Sequence, residues 1–326
     1  MNRILLITNA AAGTADERAI EEAVEVLREG AEVEVVGTRD EDELLTTVAD
    51  RPGVPVVVAG GDGSLHALVG ALDALGRLGS ERDGAEAPVV GLLPLGTGND
   101  FSRALDLPRD PGEAAAVVLG GCTEPIDVVR DETGGLVVNV AHVGVGAEAG
   151  ERARPWKARL SKVGLGVLGY AVGAVLALFT TEGWRLTVVA DGLTIAGGGR
   201  RVLQVAVANG RTIGGGARIA PDSDASDGLI DVAVSFAIGR AARIRYGLAM
   251  RRGRHQELDD VVRTRAREVT VRASNGTFTV NTDGELSHPL RSRTWRVEPA
   301  AYRMLVPARR SVPGQTLTPG HGRSTE

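Results

Sequence analysis

The stretch Val56-Val57-Val58-Ala59-Gly60-Gly61-Asp62-Gly63-Ser64-Leu65-His66 decides how the rest of the chain is read. Its unbroken apolar run suits a strand covered on both faces. Gly60, Gly61 and Gly63 let the backbone take positive φ and come close to a ligand. Ser64 is placed to cap a helix running from Leu65 to about Leu78, and a helix N-terminus with free N–H groups suits phosphate. Asp62 is the odd residue. A carboxylate beside phosphate is unfavourable unless it meets a cation or a proton, which points to magnesium or to proton handling. An ordinary βα turn with an Asx hydrogen bond explains the same residues equally well.

Upstream, Ile4 to Ile7 is an apolar strand, and Thr8 to Thr14 is a turn of small residues. Asp16 to Arg28 has Ala19, Ile20, Ala23, Val24 and Leu27 on one helical face, and Gly30 stops it. Val33 to Val36 is a second strand, ending at Gly37-Thr38, and Asp40 to Asp50 is a second helix. Downstream, a polar loop from Ser80 to Ala87 leads to the strand Pro88 to Leu93. That strand runs into Pro94-Leu95-Gly96-Thr97-Gly98-Asn99-Asp100-Phe101-Ser102-Arg103, a second glycine turn. Alternating strands and helices of these lengths predict βαβ units and a parallel sheet. Ligands of open α/β sheets collect at the carboxyl ends of the strands, so the two turns are expected to face one another across a crevice.

From about Asp127 the texture changes. Val128-Val129, Leu136 to Val145, Trp184 to Ala190, Leu193 to Ala196, Val202 to Ala208, Leu229 to Ser235, Glu268 to Ala273 and Thr277 to Val280 all have strand character. Helices are expected only at Trp156 to Phe179 and Ile238 to Met250. This predicts a mainly β second domain. Pro307 to Glu326 is rich in Pro, Gly, Ser, Thr and Arg and is expected to be a disordered tail.

At 326 residues, about two domains are expected. A net charge of −5 and 3% aromatic residues exclude a global nucleic-acid signature and a base-stacking surface. Cys122 is the single cysteine, so no intrachain disulfide forms and a reducing cytoplasm fits best. The N-terminal apolar run is too short for a secretion signal. Val163 to Thr181 is uncharged and near membrane-span length. It holds Gly164, Gly166, Gly169 and Gly173 and follows Arg159 and Lys162, which favours a buried or lipid-facing helix of a soluble domain. Ten arginines against four acids between Arg240 and Arg272 make either a solvated helix face or a patch for anionic headgroups.

Three later stretches could carry chemistry. Asn209-Gly210-Arg211-Thr212-Ile213-Gly214-Gly215-Gly216 follows an apolar strand. Pro221 to Val232 packs Asp222, Asp224, Asp227 and Asp231 with serines, which supplies hard oxygen ligands suited to magnesium; surface Asx turns are the alternative. In Asn281-Thr282-Asp283-Gly284-Glu285 a carboxylate could take a hydroxyl proton, or the stretch is a plain hairpin turn. The five histidines lack metal-ligand spacing. No Gly-x-Ser-x-Gly elbow or P-loop is present, and the one Gly-x-Gly-x-x-Gly spacing, Gly164 to Gly169, lies inside the stretch expected to be a helix rather than in a strand-to-helix turn. A phosphoryl-transfer enzyme with this sequence is therefore of neither the P-loop nor the protein-kinase type.

Taken in order, Gly60 to Ser64, Pro94 to Phe101, Asn209-Gly210 with Gly214 to Gly216, Pro221 through Asp231, and Asp283-Gly284-Glu285 resemble the diacylglycerol kinase catalytic-domain family, in its soluble bacterial lipid-kinase form. The resemblance runs from about Arg3 to Val306. It implies an ATP-dependent, magnesium-dependent kinase acting on a lipid hydroxyl, most directly diacylglycerol to phosphatidic acid. The implied fold is α/β: a three-layer nucleotide-binding domain over residues 1–127, like phosphofructokinases and NAD kinases, then a β-sandwich over residues 128–289. Residues 290–306 would return to the first domain. By position, ATP would meet Asn9, the turn to Gly13, Thr38, Gly60, Gly61, Asp62, Gly63, Ser64, Leu65, His66, Ala67, Gly96, Thr97, Gly98 and Asn99. Asp62 would hold the catalytic magnesium, with Asp100 and Asp127 supporting it. Asp227 would hold a structural magnesium, aided by the carbonyls of Asp224 and Leu229. Glu285 would be the general base.

The chain departs from that family at three places. Ala10-Ala11-Ala12 replaces a turn that usually has Pro and Ser, Ser64 replaces a commoner threonine, and Leu65-His66-Ala67 replaces an apolar-Asn-Glu continuation. Two alternatives stay open: an NAD-kinase-like enzyme for a soluble acceptor, and a non-catalytic nucleotide- or lipid-binding homologue. The expected partner is a lipid presented at a membrane surface, with the protein cytoplasmic or peripheral at the inner face. No nucleic acid is expected, and a homodimer is left open.

Overall fold

The computed structural model describes residues 2–10, 14–79, 86–145 and 182–308. The expected helix at 156–179, the uncharged stretch 163–181, Gly13 and the tail from 309 onward lie outside them. The chain runs β1 (Arg3–Asn9), α1 (Thr14–Arg28), β2 (Glu32–Thr38), α2 (Glu41–Ala49), β3 (Val56–Gly60), α3 (Asp62–Ala74) and β4 (Val89–Pro94). Then come α4 (Asp100–Ala104), α5 (Pro111–Gly120), β5 (Cys122–Asp131), β6 (Leu136–Val137) and β7 (Val140–Gly144). Next are β8 (Leu186–Ala190), β9 (Leu193–Ala196), β10 (Gln204–Ala208), β11 (Ile230–Ser235) and α6 (Arg240–Arg251). The chain closes with β12 (Val261–Ala266), β13 (Glu268–Ala273), β14 (Val280–Thr282), β15 (Glu285–Leu286) and β16 (Ser292–Val306).

β2, β1, β3 and β4 pair in parallel, in that order. Their alternate side chains feed two cores, because successive residues of a strand face opposite ways. Leu5, Ile7, Val56, Val58 and Leu92 pack with Leu44 and Val48 of α2 and with Leu65, Leu68 and Leu72 of α3. Ile4, Leu6, Val57, Ala59 and Leu93 pack with Ala23, Val24 and Leu27 of α1 and with Ala114, Ala115 and Val118 of α5. The result is a three-layer α/β domain whose strands β1 to β4 all end at one edge.

The second half is a β-sandwich. One sheet is β12-β11-β10-β7-β14-β15. The facing sheet contains β13, β8, β9 and parts of β5, β6 and β16, and the two share a core that includes Val143, Val188, Val207, Val232, Val271 and Trp295. Strand β16 belongs to both halves. Ser292 to Arg296 pairs antiparallel with β13, whereas Arg303 and Met304 pair parallel with β4. Its register shifts between Glu298 and Tyr302, where Ala300 sits at φ +51°.

Several expectations change. α3 begins at Asp62 with Gly61 as its cap and no side-chain capping bond, so Ser64 lies inside the helix rather than before it. None of Gly60, Gly61 and Gly63 takes positive φ. The run Leu136 to Val145 is broken into β6 and β7, and Val261 to Ala266 in the arginine-rich run is a strand, not part of a helix. Among the described residues no helix is long and apolar enough to cross a membrane.

Candidate active site

The two glycine turns touch. A Cβ on Gly96 would lie 2.5 Å from the Gly61 Cα, and a Cβ on Gly60 would lie 2.2 Å from Ser64 Oγ. These glycines serve close approach, not unusual dihedrals. Because the backbones meet, the turns form one continuous wall rather than the two sides of a crevice. Asp62 joins them: its Oδ2 accepts the Asp100 N–H and its Oδ1 the Phe101 N–H, both at 2.8 Å. The carboxylate thereby caps α4, whose own flanking residue Asn99 is left-handed at φ 50° and makes no side-chain cap. Asn99 donates through Nδ2 to the Pro94 carbonyl at 2.9 Å, and its Oδ1 is buried without a partner among the described residues.

Asp100 reaches into the second domain. Its Oδ2 accepts the Gly215 N–H at 2.8 Å, its carbonyl accepts the Thr212 Oγ1–H at 3.0 Å, and its Oδ1 is buried with no partner among the described residues. Asp62 and Asp100 converge over Gly98, where an added Cβ would lie 3.2 Å from Asp62 Oδ2 and 3.7 Å from Asp100 Oδ2. Burial pushes Asp62 above the usual carboxylate range; two backbone N–H bonds oppose this, and the charges of Asp100 and Asp283 add to it. A cation would relieve that repulsion. Two converging carboxylates with one orphan oxygen fit magnesium, whose other ligands are ordinarily water and phosphate oxygens. No group of three or more potential ligands occurs among the described residues.

Asp283 organises the opposite wall. It sits at φ 50° in the turn between β14 and β15. Its oxygens accept the N–H groups of Val138, Asn139 and Val140 at 2.7, 3.0 and 2.8 Å. Those three N–H groups turned toward one carboxylate are why β6 and β7 are not a single strand. Asp283 Oδ2 also meets His66 Nδ1 at 2.9 Å, with its side chain only 3% exposed. That hydrogen bond holds the His66 imidazole protonated above its usual range; burial opposes it, and the charges of Asp283, Glu285 and Glu41 reinforce it. Glu285, one residue beyond Gly284, is exposed at the tip of the same hairpin. His142, in the neighbouring strand β7, is pushed down to about 4 by burial and is neutral.

The expected residues divide accordingly. Asn9 and Thr38 are register partners at the ends of β1 and β2, beside Gly60 and Pro94 at the ends of β3 and β4. The first two N–H groups of α3, on Asp62 and Gly63, have no protein acceptor among the described residues. Thr97 is exposed on the same edge. Leu65 is fully buried and Ala67 packs on the same core, so their side chains serve the fold. Asp127 is elsewhere: its oxygens accept the N–H groups of Ala300 at 2.8 Å and Gly228 at 2.7 Å. Its charged neighbours are Asp224 and Asp227, not Asp62. In that second acidic group one oxygen of Asp224 takes Ser226, one of Asp227 takes the Leu229 N–H, and the other oxygen of Asp227 faces Arg265 at 3.4 Å. Both oxygens of the Asp227 carboxylate thus face protein donors. A cavity of 470 Å³ lined by Asp106, Glu124, Asn209, Arg211 and Asp224 lies beside this group, away from the glycine turns.

Three residues of the site were given no role from the sequence. Thr212 and Gly215 hold Asp100, and Asp283 holds both His66 and the β6–β7 break. Only the Asp-Gly pair in a turn pointed to Asp283, since its donors lie 143 to 145 positions away.

Two family models and several known proteins match this chain. Residues 3–130 match the model of the diacylglycerol kinase catalytic domain, and residues 139–306 match that of the YegS C-terminal NAD kinase beta sandwich-like domain. A protein of Xanthomonas campestris pv. campestris (strain 8004) named "Probable lipid kinase YegS-like" is 32% identical over 297 residues, covering 89% of this chain and 91% of that one. A diacylglycerol kinase of Mycobacterium tuberculosis (strain ATCC 25618 / H37Rv) is 31% identical over 289 residues, covering 84% of each. The crystal structure of a diacylglycerol kinase from Bacillus anthracis str. Sterne superposes with a TM-score of 0.68 over 94% of this chain and 97% of that one, at 20% identity. The chain belongs to the diacylglycerol kinase catalytic-domain family, whose members are phosphotransferases with an alcohol acceptor.

Proposed function

We propose that this chain transfers the γ-phosphoryl group of ATP to a primary hydroxyl of a lipid, with diacylglycerol the leading acceptor. The observation that carries this reading is the His66–Asp283 pair, which seats the hairpin bearing Glu285 against the first turns of α3. A carboxylate for the acceptor hydroxyl and a phosphate-friendly helix start are thereby neighbours. The hydroxyl oxygen attacks the γ-phosphorus as its proton passes to Glu285, and the bond to the β-phosphate oxygen breaks to release ADP. The free N–H groups of Asp62 and Gly63 offset phosphate charge. Asn9, Thr38, Gly60, Gly61, Ser64, Gly96, Thr97, Gly98 and Asn99 sit where the nucleotide would lie along the strand ends. Asp62 and Asp100 would hold magnesium, which when bound neutralises charge on the transferring group. Positioning and electrostatics account for most phosphoryl-transfer catalysis, so few side chains are needed.

The test is incubation with labelled ATP and magnesium, offering diacylglycerol, phosphatidylglycerol and a sphingoid base in mixed micelles, with NAD as the soluble control. Label in the diacylglycerol product is expected. Label in NAD alone contradicts the lipid acceptor.

A further inference from the structure

We propose that the outer face of α6 is a docking surface for an anionic lipid bilayer. The inner face of the helix is committed to the fold. Tyr246 is buried with Val145, Leu203 and Ala237, and buried Arg243 donates to the Ile238 carbonyl at 2.7 Å. The outer face is not. Ile244 and Leu248, one turn apart, are 46% and 54% exposed, and they line an open groove of 590 Å³ with Ala241, Ala249 and Leu258. Residues four apart lie on one side of a helix, so the two side chains form a single apolar ridge.

Charge says what the ridge meets. From Arg240 to Arg254 the sequence has six arginines and no acid, although the whole chain carries −5. Two strand arginines further along are neutralised: Arg263 pairs with Asp222 and Arg265 with Asp227 and Asp231. Around the ridge Arg245 reaches Asp260 and Arg254 reaches Glu257, whereas Arg240, Arg251 and Arg252 have no ion pair among the described residues. An apolar ridge ringed by unneutralised arginines complements an interface with acyl chains beneath anionic headgroups. A second copy packed face to face would set arginines against arginines. A nucleic acid would leave Ile244 and Leu248 without a role.

This surface rests on the lipid-acceptor reading for its purpose, but its test reads binding without ATP or turnover. The full chain is sedimented with phosphatidylcholine vesicles, with and without phosphatidylglycerol, at low and high salt. It should partition onto the anionic vesicles at low salt and largely leave them at high salt. Replacing Arg251→Gln and Arg252→Gln together should weaken partitioning by about tenfold or more. The pair Ile244→Ser and Leu248→Ser should weaken it further, with thermal melting unchanged as the control for folding. Parent-like binding by both variants, or no preference for anionic vesicles, overturns the surface. Vesicle binding without phosphorylation of any lipid leaves the surface standing and sinks the acceptor instead.

Discussion

At the scale of single residues, the site depends on contacts that a one-atom change disturbs. Because the His66 imidazole is held protonated above its usual range by Asp283, the pair stabilises the fold fully below the unfolded imidazole's value. That contribution is lost as pH rises through the raised folded value. His66→Ala should therefore cost about 1 kcal/mol at pH 6 and much less at pH 9. Equal losses in denaturant titrations at the two pH values would show that the pair is not ionic. The glycines separate shape from binding. Gly96→Ala forces a Cβ to 2.5 Å from the Gly61 Cα and should destabilise the fold by about 1–3 kcal/mol. Gly63 has open space around it and ordinary φ. Gly63→Ala should leave the melting temperature unchanged or raise it, while weakening ATP-induced thermal stabilisation by crowding the phosphate approach. An unchanged ATP shift in that variant would move the phosphates away from the start of α3.

At the scale of elements, legibility followed the range of the interactions. β1, β3 and β4 were plain because each is an unbroken apolar run buried on both faces, and the glycine turns mark their ends. Helix α5 went unrecognised although its start is written in Asp110-Pro111-Gly112-Glu113. Asp110 caps it by accepting the Glu113 N–H at 2.9 Å, with proline at the first turn. Asp110→Ala should cost about 1 kcal/mol in unfolding free energy; no change would mean that packing of Ala114, Ala115 and Val118 alone fixes the helix. The arginine run misled for a different reason. In Val261 to Ala266 the charged residues alternate with less exposed ones, a period of two that marks a strand, but their number suggests a solvated helix. The β6–β7 break was invisible locally, since Val138, Asn139 and Val140 turn toward a carboxylate in a hairpin far along the chain. The same distance hid the division of the acids, with Asp62 and Asp100 in one group and Asp127 with Asp224 and Asp227 in another.

At the scale of the whole molecule, β16 is the tie between the halves. It leaves the sandwich beside β13 and ends beside β4, and the change of direction is concentrated at Ala300. A left-handed alanine carries a penalty that glycine does not, so Ala300→Gly should raise stability by up to about 1 kcal/mol in thermal unfolding. A loss instead would show that the alanine methyl packs more strongly than its backbone is strained. Further ties cross from one half to the other, among them Asp100 to Gly215, Asp127 to Gly228, and His66 to Asp283. Together they hold the Glu285 hairpin over the glycine-turn wall. The most direct measurement is the single-turnover rate of phosphoryl transfer to diacylglycerol in mixed micelles by Glu285→Gln beside the parent chain. The rate should fall by about 10²–10⁴-fold with ATP-induced thermal stabilisation intact, and a near-parent rate would contradict the assignment of Glu285 as the base.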